Sequence, residues 1–216
     1  FFMIYGFLFL LISVSSLAAN NDESEITTYI ARDQNLSGDF PPLEHLEVLD
    51  LSWNNYSGAI PPLDTRVLKE LYLNFNRFSR FPATLNLPHL RVLDVSNNQL
   101  TGYIPNYLEH MPLVYLDLSD NQLQGPLPQS FENMKYLRFL SVSYNNLSGP
   151  LINFPPSLEI LYIDHNQFRG SLFPSLSQLN LTYFNGEGNQ FSIPIPQCLI
   201  DLKPLGEDLS SFLNPC

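Results

Sequence analysis

The sequence predicts an α/β solenoid: a right-handed coil with a parallel β-sheet on its concave face and an irregular, partly 3-10 convex side. Three observations carry this. Seven asparagines (Asn54, Asn76, Asn98, Asn121, Asn145, Asn166 and Asn189) recur at separations of 22, 22, 23, 24, 21 and 23 residues. A period in the twenties marks stacked supersecondary units, not one closed core. The asparagines follow an alternating apolar run, as in Leu90-Arg91-Val92-Leu93-Asp94-Val95, and the full copies precede an apolar residue, glycine and an Ile-Pro-like pair, as in Leu100-Thr101-Gly102-Tyr103-Ile104-Pro105, with looser copies at 68–82, 158–172 and 181–194. Alternation is the mark of a short half-buried strand, and Gly and Pro punctuate its return.

The chain divides in order. Residues 1–19 hold an apolar run from Phe1 to Val14 followed by small residues at Ser16 and Ala18, which reads as a signal peptide; a retained N-terminal anchor is the alternative. Residues 20–42 are a polar lead-in and a cap coil, whose Gln34–Pro41 half follows the repeat while its strand half (Ile26, Tyr29, Ala31) is degenerate. Residues 43–196 hold seven repeats. In the second, Arg80 stands where glycine is expected; in the seventh, Gly186 takes a buried strand position. Residues 197–216 form a C-terminal cap, where Cys198 and Cys216, the chain's two cysteines, read as one disulfide. In every coil the ladder asparagine sits where the backbone turns, and its amide both donates to and accepts from groups that would otherwise stay unpaired.

The spacing L-x-x-L-x-L-x-x-N-x-L-x-G-x-I-P, in phase over seven copies, resembles the leucine-rich repeat family, in its plant-type class. The resemblance implies a non-catalytic ectodomain of a receptor kinase or receptor-like protein, secreted or at the cell surface, or a soluble inhibitor of wall-degrading enzymes. A paired-cysteine N-terminal cap, common in that class, is missing before Cys198.

Outward strand positions form four lanes across the concave sheet. The first is Val48, Glu70, Val92, Tyr115, Phe139, Ile160, Tyr183; the second Asp50, Tyr72, Asp94, Asp117, Ser141, Tyr162, Asn185. The third is Ser52, Asn74, Ser96, Ser119, Ser143, Asp164, Glu187; the fourth Trp53, Phe75, Asn97, Asp120, Tyr144, His165, Gly188. These 28 positions hold seven acids and neither Lys nor Arg, although the chain has ten basic residues. Asp50, Trp53, Tyr72, Phe75, Asp94, Tyr115, Asp117, Asp120, Phe139, Tyr144, Tyr162, Asp164 and His165 are therefore the candidate ligand-binding residues, since rigid aromatics supply contact area at low entropy cost. Acids on adjacent coils repel, and a ligand with basic patches would relieve this.

A net charge of −11 disfavours nucleic acid and anionic membranes as partners. No catalytic residue, metal ligand or cofactor is assigned. Ser143, Asp164 and His165 fail as a triad because the chain neighbours Asp164 and His165 should leave opposite sides of the strand. Asp94, Asp117 and Asp120 lack a calcium-loop motif, and His45, His89 and His110 read as solvent-facing. Sequons at Asn35, Asn55, Asn146 and Asn180 suit glycans on the flank. The expectation is an extracellular module that binds a peptide or protein, with a membrane co-receptor as a further partner. The rival classes are a glycan- or wall-associated structural or inhibitor protein and a membrane-tethered surface protein. Ligand identity and oligomeric state are not legible.

Overall fold

The computed structural model describes residues 27–172, 176 and 179–192. The signal segment, most of the lead-in, and Cys198 and Cys216 lie outside the described residues. Eight parallel strands stand side by side in chain order: Thr28–Ile30, Val48–Asp50, Glu70–Tyr72, Val92–Asp94, Tyr115–Asp117, Phe139–Ser141, Ile160–Tyr162 and Tyr183–Asn185. Their register aligns Val48, Glu70, Val92, Tyr115, Phe139, Ile160 and Tyr183 in one row. The first two lanes are thus those read from the sequence.

Thr28–Ile30 extends the sheet by one coil. The strand half of the cap coil, degenerate in sequence, forms a strand in register with Val48–Asp50. Parallel pairing is made by backbone groups and needs no leucine; Ala31 is buried, 2% exposed, and Tyr29, Leu36 and Phe40 pack beside it against the core. The sheet gains a coil, and with it Arg32 and Asp33 continue the third and fourth lanes at the N-terminal end.

Stacked rows of side chains fill the coil. Leu49, Leu71, Leu93, Leu116, Leu140 and Leu161, in mid-strand, are at most 1% exposed. Tyr56, Phe78, Leu100, Leu123, Leu147 and Phe168 follow the asparagines, and Leu63, Leu85, Leu108 and Phe131 close the convex side. Full burial of such a side chain contributes about 1.5–3 kcal/mol. Pro105 and Pro128, both extended, lead into 3-10 turns at Asn106–His110 and Gln129–Asn133. These turns are the only helical elements among the described residues.

A second sheet was not anticipated. On the flank, Thr101–Gly102, Gln122–Gly125, Asn146–Gly149, Gln167–Ser171 and Gln190–Ser192 pair in parallel, and Ser57–Ala59 pairs separately with Arg77–Arg80. The irregular second repeat explains the separate piece: the register shifts after Gly58, setting Ala59 against Arg80.

Gly125 shows why glycine ends these flank strands. Its φ is +79°, and a Cβ there would lie 2.3 Å from Cε1 of Tyr103. Gly125→Ala should lower stability by about 1 kcal/mol or more in thermal or urea unfolding. Repeating it on Tyr103→Ala removes the clash and leaves the backbone cost. Gly186 has a different reason. A Cβ there would meet the Phe184 ring at 2.7 Å, so that ring already occupies the place of the missing second core residue.

Candidate functional site

The asparagine ladder sets the platform. Asn76 Nδ2 donates to the Leu51 and Leu73 carbonyls at 2.9 and 3.0 Å, while its Oδ1 accepts from Tyr56 N–H at 3.0 Å. Asn145 does the same with Leu118, Val142 and Leu123, and Asn98, Asn121, Asn166 and Asn189 repeat it. Asn54 ties the cap coil through Ala31 and Leu36. Each amide bonds the coil before it, so the outward lanes cannot slide against one another.

On this platform Tyr115 and Phe139 stack, with ring centroids 4.2 Å apart and planes 7° from parallel. Phe139 continues to Tyr162 at 5.8 Å. The Tyr72 hydroxyl donates to Glu70 at 2.9 Å, and Tyr115 donates to Asp117 at 3.3 Å. Burial, then the neighbouring carboxylates, push both phenols well above their ordinary pKa, so they remain donors.

The acids are less exposed than a bare lane count implies. Asp50 and Asp164 are buried, 8% and 5% exposed. Ser52, Ser96 and Ser143 in the third lane are buried too, forming a floor. Asp50, Asp94 and Asp117 each accept through Oδ1 from the N–H two residues on, at Ser52, Ser96 and Ser119. The Ser96 and Ser119 hydroxyls add bonds at 2.7 and 2.6 Å. This Asp-x-Ser unit ties down the strand end. One carboxylate oxygen of each is therefore structural.

Asp94 and Asp117 occupy adjacent strands in direct register. Burial and then repulsion from Asp117 push the Asp94 carboxyl up to about 7. Burial also raises Asp117, opposed by its Ser119 and Tyr115 hydrogen bonds. Both shifts favour the protonated form of the pair. Asp120, exposed at the turn, is raised by burial and by Asp164.

The fourth lane has a backbone the sequence did not disclose. Trp53, Phe75, Asn97, Asp120, Tyr144 and His165 all have φ between 52° and 58°, the left-handed region that bulky side chains rarely adopt. Trp53 stacks on Phe75 at 3.8 Å and Tyr144 on His165 at 4.2 Å. The same backbone corrects the expected separation of Asp164 and His165: His165 Nδ1 lies 3.0 Å from Asp164 Oδ2. Asp164 also accepts from the Ser143 hydroxyl. The order is Ser–Asp–His with the carboxylate in the middle, so the imidazole does not receive the hydroxyl proton as nucleophile activation requires.

Lys69 and Arg138 flank the sheet just before the first lane and pair with Glu47 and Glu159. His45, His89 and His110 are exposed, as expected, and so are Asn35, Asn146 and Asn180, while Asn55 is half-buried. Asn146 opens a flank strand, away from the concave lanes.

Family models described as leucine-rich repeats match residues 66–123, and 45–64 with 157–179. Receptor like protein 23 of Arabidopsis thaliana is 31% identical over 170 residues, covering 77% of this chain and 17% of the relative. The chain thus spans well under a fifth of that relative's length. The plant peptide hormone receptor RGFR1, solved in complex with RGF2, superposes with a TM-score of 0.70 at 31% identity over 80% of this chain and 30% of the receptor. A plant ice-binding protein superposes at 0.64 with 34% identity, over 75% of this chain and 56% of its own. With its repeat period, asparagine ladder and parallel coil, the chain is a leucine-rich repeat protein of the plant type.

Proposed function

We propose that this chain is an extracellular recognition module that binds a peptide or protein ligand with basic patches across the first two concave lanes. One observation carries the reading. The register brings Tyr72, Tyr115, Phe139 and Tyr162 together with Asp94 and Asp117 on a face without lysine or arginine in its repeat lanes. Aromatic faces give apolar contact and a seat for cationic groups, and carboxylates complement basic side chains. RGFR1, of the same architecture, is a peptide hormone receptor, which supports a peptide as ligand class and a membrane co-receptor as further partner. No helix among the described residues is long and apolar enough to cross a membrane.

The test uses the full secreted chain against immobilised secreted peptides rich in Lys and Arg, and against their Gln analogues, over a salt series. Capture should favour the basic peptides and fall with salt. A variant carrying Asp94→Asn and Asp117→Asn should lose most of it, and Phe139→Ala should weaken it at every salt concentration. Equal capture of basic and Gln peptides, or equal capture by the double variant, would overturn the charged concave face as the binding surface.

A further inference from the structure

The turn row beside those lanes carries an arrangement that basic-peptide binding does not use. Trp53 and Phe75 form a stacked pair, yet they stay 44% and 36% exposed. Both hold left-handed backbone, which costs a non-glycine residue on the order of 1 kcal/mol. Next along the row come Asn97 and Asp120, then the Tyr144–His165 stack. Hydrogen bonds from Phe75 N to Ser96, Asn97 N to Ser119 and Asp120 N to Ser143 keep these coils in register. An open cleft of about 520 Å³ lies here, lined by Trp53, Phe75, Asn97, Asp120 and Arg77 among others.

We propose that this cleft is a binding subsite for a neutral oligosaccharide, one sugar ring of which continues the Trp53–Phe75 stack over Asn97 and Asp120. The geometry supplies the spacing. The stack runs along the solenoid axis, so a ring on the open face of Phe75 sits one coil pitch away, ~4.8 Å, at the level of Asn97. Glycosidic bonds join sugar rings edge to edge, so the rest of the oligosaccharide leaves this ring sideways, across the row. Equatorially hydroxylated pyranoses expose C–H on both faces, which suits an aromatic face.

The polar groups select the ligand class. Asp120 only accepts, Arg77 only donates, and the Asn97 amide does both. A hydroxyl both donates and accepts, so it can use all three. A flat aromatic side chain would leave them unpaired, and a cation would face Arg77. Arg77 and Asp120 also balance one another locally, on a face that is otherwise acidic, which favours an uncharged ligand. The subsite stands independently of the peptide reading, because the first two lanes contribute nothing to it.

Trp53 is the chain's single tryptophan, so its emission reports on this cleft alone. Titrating the full chain with cellohexaose should give a saturable emission change that is insensitive to salt. Asp120→Ala should weaken it at least tenfold. So should Phe75→Gly, which suits the left-handed backbone and preserves the coil. Tyr136→Ala, at an exposed aromatic outside the cleft, should leave it unchanged. Lack of saturation at millimolar cellohexaose would overturn the assignment, as would undiminished binding by Phe75→Gly. A salt-sensitive response to a basic peptide with none to cellohexaose would give the cleft to the charged face instead.

Discussion

Replacing Asn145 with leucine should be the most damaging single change in the middle of the coil. Asn145 is 7% exposed, and its amide bonds the Leu118, Val142 and Ser143 carbonyls and the Leu123 N–H. Leucine fills a similar volume, so the loss is in hydrogen bonding. It orphans the Leu123 N–H within the stack, at a cost of about 1–3 kcal/mol, and leaves the Leu118 and Val142 carbonyls with only Asn121 and Asn166 as donors. With the weakened carbonyl bonds added, the expected loss is on the order of 2–4 kcal/mol, read from urea unfolding. Asn145→Asp keeps the acceptor for Leu123 N–H, loses the donor and buries a charge, so it should be comparably harmful at neutral pH and milder in acid. Because each coil touches only its neighbours, the damage should also appear locally, as faster amide exchange in the coils on either side of Asn145. A uniform loss of protection along the chain would contradict this quasi-one-dimensional picture.

Much of this arrangement was legible because repetition amplifies weak signals. One Leu-x-Leu proves little, whereas seven in phase fix which side chains share a lane, and the observed register of Glu70, Val92 and Tyr115 follows. What repetition does not encode is how backbone or side chain bends at each position. The flank sheet escaped notice because its strands, such as Thr101–Gly102, run only two to five residues through text that reads as a turn. The left-handed backbone of Trp53 and Phe75 has no sequence mark, since glycine or asparagine is the usual cue; Asn97 and Gly188 in the same row were the available hint. The acids were correctly placed but their state was not. The recurring Asp-x-Ser at Asp50, Asp94 and Asp117 signalled carboxylates that bond their own backbone as well as any ligand.

That state makes stability depend on pH in a direction opposite to the usual acid denaturation. A carboxylate whose pKa is raised by folding binds more protons in the folded than in the unfolded chain, so stability falls as pH rises between the two values. For Asp94 the window runs from its ordinary 3.8 to about 7, with burial the main cause and Asp117 the next. Asp117 shifts in the same direction. The wild-type chain should therefore melt at a lower temperature at pH 8 than at pH 5, by several degrees. The Asp94 contribution is bounded at about 4 kcal/mol and is reduced by solvent at the open face. Asp94→Asn carries no titrating proton, accepts from Ser96 through its amide oxygen and relieves Asp117. It should raise the melting temperature at pH 8, change little at pH 5 and flatten the profile between them. Binding of a basic ligand should show the reverse trend, strengthening as the pair loses its proton. A wild-type profile that rises from pH 5 to pH 8 and is unaltered by Asp94→Asn would mean that both carboxylates are ionised throughout, and that the fold tolerates two adjacent buried charges.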